Sequence, residues 1–335
     1  MRYRHFSLIL LIVGIVGCSS DPLDVDVSDV DFEMNFERFD QKMFEVKSVE
    51  EMKSVNEELI EIGGELYEFY VYEMLRSGSV YDDSIAHYLY YFVTDTTMKI
   101  TFNDIQSEFN NFETEEELIT DAFKHLKYHL PDAPLPNRLI TYNSAFNYGV
   151  ISTNDQIGVG LEMYLGQYNE IIQNLAFPVY MKEKMEREYL PVDVCHSWII
   201  TNILKDPGET FLSQMIYYGK VLYLIDAMMP DQPDHLKVRY TEDEYDFALA
   251  SEDDVWLYIM DMNWVYDTDM KLHLRWFGEA PTTVEITGSP GRMGQFMGWQ
   301  MVKQYMDKNE DATVESMIAE TNEAKFLKIY KPEEN

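Results

Sequence analysis

Between Asp193 and Pro230 the sequence carries two apolar helical runs separated by Asp206-Pro207-Gly208, and the second run is apolar almost all the way round. At helical spacing, Phe211, Met215, Leu222 and Ile225 form one stripe, and Leu212, Ile216, Tyr223 and Ala227 widen it beyond what a single packing partner covers. Such a helix has little surface to give to water. Other elements must enclose it, which predicts a mainly helical domain built around residues 211–229. The first run, Val192 to Leu204, carries Cys195-His196-Ser197-Trp198-Ile199-Ile200.

Elsewhere the periodicity changes along the chain. Val30, Phe32, Met34 and Phe36 alternate with polar residues and predict a strand. Ser48 with Glu51 and Thr114 with Glu117 fit the capping box, and Ser84 is a similar start. These predict helices near 49–62, 65–76, 85–94 and 115–129, ended by Gly63-Gly64, Ser77-Gly78 and Pro131. From Arg138 the period drops to two, in 139–142, 148–151 and 157–161, and the intervening turn residues suggest an antiparallel meander. Helices resume near Met181–Glu188. Thr241 with Glu244 caps a helix reaching about Met262, its buried face formed by Trp256, Ile259 and Met260. Ser289-Pro290 reads as an N-cap and first helical residue. Gly294 and Gly298 then recur one turn apart, a spacing that suits close helix packing.

The chain has 335 residues, a formal charge of −34 and 46% hydrophobic residues, enough for a large core. So acidic a surface repels phosphate backbones, which argues against nucleic-acid partners. Met1-Arg2-Tyr3-Arg4, the apolar run Phe6 to Val16 and Ile15-Val16-Gly17-Cys18 together read as a lipoprotein signal, too short to span a bilayer. The expected organisation is a signal peptide at 1–17, an acidic tether at 18–29 beginning with acylated Cys18, and a single domain over 30–335. Multiple acyl chains on Cys18 would provide the membrane attachment. Cleavage leaves 24 basic residues against 60 acidic ones, a charge of −36. Cys195 is then without a disulfide partner and is expected to pack as a small apolar residue.

The His196 segment resembles the thermolysin-like metalloprotease frame, in which H-E-x-x-H on one helix is followed by a Glu ligand on the next. His196 falls at the first ligand, Ser197 at the general base, Ile200 at the second ligand and Tyr218 at the third. Zinc hydrolysis needs three ligands, an open water position and a carboxylate base, and three of these four positions hold the wrong residue type. The resemblance implies a zincin-like α+β fold, mainly helical with a small antiparallel sheet, with no catalytic residues, metal or cofactor. His125 and His129 share a helix face and are the other candidate metal pair, but Lys124 and Lys127 beside them suggest a solvated helix end.

Four further runs are similar to the gliding motility lipoprotein GldB family of Bacteroidetes: Arg38-Phe39-Asp40, Ile157 to Gly166, Gln214 to Pro230, and Ser289 to Gln300. Arg38 and Asp40 are expected to form a salt bridge. The resemblance implies a lipid-anchored protein of the cell membrane or outer membrane, required for gliding and tied to type IX secretion, whose partners are other gliding or secretion proteins. Its role would be structural or interactive. A zinc-dependent peptidase or envelope hydrolase using His196 with His125 or His129, and a peptide- or glycan-binding module keeping the old cleft, are the alternatives. The sequence contains no G-x-G-x-x-G, Walker A, G-x-S-x-G or paired C-x-x-C motif.

Overall fold

Phe211–Met228 forms a helix buried on nearly every side, with Thr210 capping its start by accepting from the Ser213 N–H. The computed structural model describes residues 22–283 and 285–332; Cys18 and the signal segment lie outside the described residues. Met293–Lys308 packs along this central helix more extensively than any other element, and glycines set the approach. A Cβ on Gly298 would stand 1.8 Å from the Met215 carbonyl oxygen, and one on Gly219 would stand 2.1 Å from the Gly298 carbonyl oxygen. Gly294 instead lies against the Phe277 ring, 2.5 Å from where its Cβ would be. The expected close crossing is therefore present, and Gly219 is the partner that completes it.

Four strands form one sheet in the order β1-β2-β4-β3: β1 is Asn35–Arg38, β2 Arg138–Tyr142, β3 Val150–Ser152 and β4 Gln156–Gly160. β1, β2 and β4 run parallel, and only β3, on the edge, is antiparallel to its neighbour. This corrects the antiparallel meander. The hairpin β3–β4 folds back so that β4, not β3, enters beside β2. Because both sheet faces are covered, Leu139, Ile157 and Val159 join the main core, while Ile140 and Tyr142 face a second core formed with helices Val49–Phe69 and Ile85–Thr94.

Other boundaries also move. The alternation at 30–36 yields a strand only from Asn35, since Phe32 packs on Phe123 without strand pairing. Gly64, at φ 48°, kinks the continuous helix Val49–Phe69 where a break was expected. Thr96–Glu108 is a helix the apolar pattern does not mark, capped by Asp95. Glu113–His129 starts one residue before Thr114 with no side-chain cap on it, while Asn111 accepts from the Glu113 N–H. The 241–262 run divides at Ser251, and Met260 points outward at 44% exposure. Ser289 caps no helix. Its hydroxyl bonds within the loop to the carbonyls of Thr283 and Ile286, and the helix begins after Arg292.

Candidate functional site

The helix Leu190–Trp198, with Pro191 in its first turn, continues into a π-helical turn over Ile199–Ile203. Such a turn widens the backbone and rotates the following side chains, and π-bulges occur frequently at functional sites. This helix packs against edge strand β3, and the Ser152 and Ser197 hydroxyls lie 2.9 Å apart across the contact. Beside that junction is a cavity of about 290 Å³, lined by His196, Ser197 and Ile200 from the helix, Gly149 and Val150 from the β3 side, and Met163, Phe177, Met181 and Met185.

Its polar wall is an ordered charge network. The Tyr164 hydroxyl donates to Asp193 Oδ2 at 2.7 Å, and Arg239 Nη1 donates to the same oxygen at 2.8 Å. Arg239 Nη2 also donates to the Lys184 carbonyl at 3.1 Å, and Lys184 pairs with Glu244. Glu244 in turn closes the Thr241 capping box, so Arg239 is held through the start of the Glu242–Ala250 helix. Burial raises the Asp193 pKa, although Arg239 and Tyr164 favour its ionised form. A smaller adjoining cavity shares Lys184, Arg239 and Glu279 and adds Arg292. Arg292 reaches Glu279 at 3.5 Å, its only ion pair among the described residues.

Two of the seven non-glycine residues with positive φ among the described residues stand in this region. Arg239 holds φ at 58° and Arg292 at 60°, left-handed conformations that cost a non-glycine residue about 1–2 kcal/mol. Both strained residues deliver a guanidinium to the same place. Burial first, and then the charge of Arg239, lowers the Arg292 pKa. His196 faces the cavity without a hydrogen bond to its ring among the described residues. Burial, then Arg292 and Arg239, push its pKa down to about 3, so the imidazole is neutral across the physiological range.

Three of the four metalloprotease-frame positions, His196, Ser197 and Ile200, thus meet in one cavity. Tyr218 lies outside its lining, stacked on Phe277 with ring centroids 5.6 Å apart. Among the described residues no three His, Cys, Asp or Glu side chains are grouped to hold a metal ion. His125 is buried, with Nδ1 3.0 Å from the Asp121 carbonyl, which corrects the expected solvated helix end. Arg38 clamps Asp40 through Nε and Nη2 at 2.9 and 2.8 Å, the expected salt bridge. Cys195 is buried with Sγ 3.6 Å from Met229 Sδ, and burial pushes its thiol pKa up. Lys184, Arg239, Glu279 and Arg292 were not singled out by spacing. Scarcity marks the three basic ones, since basic residues number 26 in a chain with 60 acids, and Arg292 also lies in the Ser289 to Gln300 run, whereas Glu279 carries no such signal.

A family model described as gliding motility protein GldB matches residues 20–332. No curated protein and no solved structure matches the chain.

Proposed function

The chain belongs to the GldB gliding motility protein family, and from that premise we propose that it is a lipid-anchored envelope protein that supports gliding, and the type IX secretion tied to it, by binding partners without catalysing a reaction. The observation that carries the non-catalytic part is the charge around His196. Burial first, and then the guanidiniums of Arg292 and Arg239, hold its ring unprotonated, and the positive field of the two arginines opposes a divalent cation at that nitrogen. Ser197 stands where a general base would be needed, and its hydroxyl is engaged with Ser152. A zincin-like ancestry is supported by the arrangement of an antiparallel edge strand beside the His196 helix, followed by the central helix. On this reading the cleft outlived its metal chemistry and serves as a docking site.

Attachment at Cys18 accounts for the membrane association. Among the described residues no helix is long and apolar enough to cross a membrane. Replacing the chromosomal gene tests both parts. Cys18→Ser is expected to leave the protein in the soluble fraction and the colonies non-spreading, whereas His196→Gln, at normal abundance, is expected to glide. Loss of gliding in His196→Gln together with loss of a peptide-cleaving activity of the purified protein would refute the non-catalytic reading.

A further inference from the structure

The cleft's polar wall contains more cationic hydrogen-bonding capacity than its own carboxylates use. Asp193 occupies one edge of Arg239, and Glu244 occupies Lys184. Arg239 Nε is buried with no partner among the described residues, and Arg292 has only the 3.5 Å contact to Glu279, whose side chain is 37% exposed. The neutral ring of His196 is also free to bond. Met181, Met185 and Phe177 supply apolar surface to the larger cavity, which Arg239 and His196 also line, and Arg292 lines the smaller cavity adjoining it at Arg239. Two like charges converge here, Arg239 from the left-handed end of the Asp234–Lys237 helix and Arg292 from the start of Met293–Lys308, and their mutual repulsion is unfavourable with no anion between them. A bound anion would bridge them.

We propose that Arg239 and Arg292 form a receptor for the carboxylate of a small amphiphilic ligand whose apolar chain lies on Met181, Met185 and Phe177. A guanidinium presents paired N–H donors that match a carboxylate. Asp193, Glu244 and Glu279 share the sector, so a singly charged head suits it better than a dianionic phosphate. The incoming carboxylate displaces Glu279 from Arg292 into solvent. A peptide C-terminus and a free branched acid present the same chemistry. This inference rests on the docking reading of the cleft and specifies what docks there.

The test uses the purified full chain in detergent, calorimetric titration, and the His196 imidazole resonance as a local reporter. The probes are N-acetyl-Ala-Leu, its C-terminal amide, and 4-methylpentanoate. The dipeptide acid is expected to bind and shift the His196 resonance, with the amide at least about tenfold weaker because a charge-assisted contact is lost. If 4-methylpentanoate matches the dipeptide acid, a free acid is the source; if it is far weaker, a peptide terminus is. Arg292→Gly should weaken binding about tenfold or more, and Glu279→Gln, which removes the competitor, should strengthen it. Such opposite changes cannot both come from misfolding. Equal binding of acid and amide, no binding of either acid at roughly 10 mM, or unchanged affinity in the two variants would overturn the receptor. Cleavage of a probe would overturn the non-catalytic reading and leave the receptor standing.

Discussion

Gly298→Ala puts one methyl group into the tightest helix contact of the molecule. Its Cβ would lie 1.8 Å from the Met215 carbonyl oxygen, 2.6 Å from the carbonyl carbon and 3.0 Å from Cα, all backbone atoms that no rotamer change can move. The two helices must separate by about 1 Å or more to reach a normal contact of ~3 Å. Overpacking costs about 1–3 kcal/mol, and a backbone clash at the central crossing belongs at the upper end. Alanine recovers about 1 kcal/mol of helix propensity. The net loss is then about 2 kcal/mol. With an unfolding entropy of about 2.1 cal/mol/K per residue over roughly 310 residues, that is a fall of ~3 °C in Tm. Scanning calorimetry with Gly219→Ala and the double variant checks the mechanism, because helices already separated by one methyl should accept the second at less than the summed cost. A raised Tm in Gly298→Ala would refute the argument, since propensity alone predicts that sign.

Other predictions address charge and attachment. Burial pushes the Glu162 pKa up to about 7 even though its Oε1 accepts from the Ser144 and Phe146 amides. The folded state therefore keeps a proton that the unfolded chain has released, and this group's stabilisation, present below pH ~4.5, is lost as pH rises to ~7, a change of about 3 kcal/mol. Glu162→Gln should flatten stability over that window in denaturant titrations; an unchanged slope would refute the assignment. Arg292→Gly removes a left-handed arginine and its repulsion with Arg239, so thermal denaturation without ligand should show a higher Tm, and a lower one would make the Glu279 pair structural. Cys18→Ser should move the protein from the membrane to the soluble fraction, and retention at the membrane would sink the lipoprotein reading.

What the sequence disclosed depended on whether the governing interaction was local. The enclosed central helix was legible because Phe211 through Ala227 are apolar at helical spacing, and the glycine crossing because Gly294 and Gly298 recur within one helix. The parallel pairing of β2 with β4 was not legible, since period-two alternation marks a strand but not its neighbour. His196, Ser197 and Ile200 share a cavity because they lie one turn apart on one helix. Arg239 joins them and Arg292 lines the adjoining cavity, 53 residues apart in sequence, and each holds a left-handed backbone conformation that side-chain pattern does not encode. Tyr218 failed to join because its ring found an aromatic partner in Phe277.

The metal content of the purified full chain tests the central claim most directly. A lone neutral imidazole facing two guanidiniums cannot replace the three protein ligands that hold catalytic zinc. Purification without chelators should therefore yield less than roughly a tenth of an equivalent of zinc, unchanged in His196→Gln. Stoichiometric zinc that disappears in His196→Gln would contradict the account and make the cleft a metallopeptidase site.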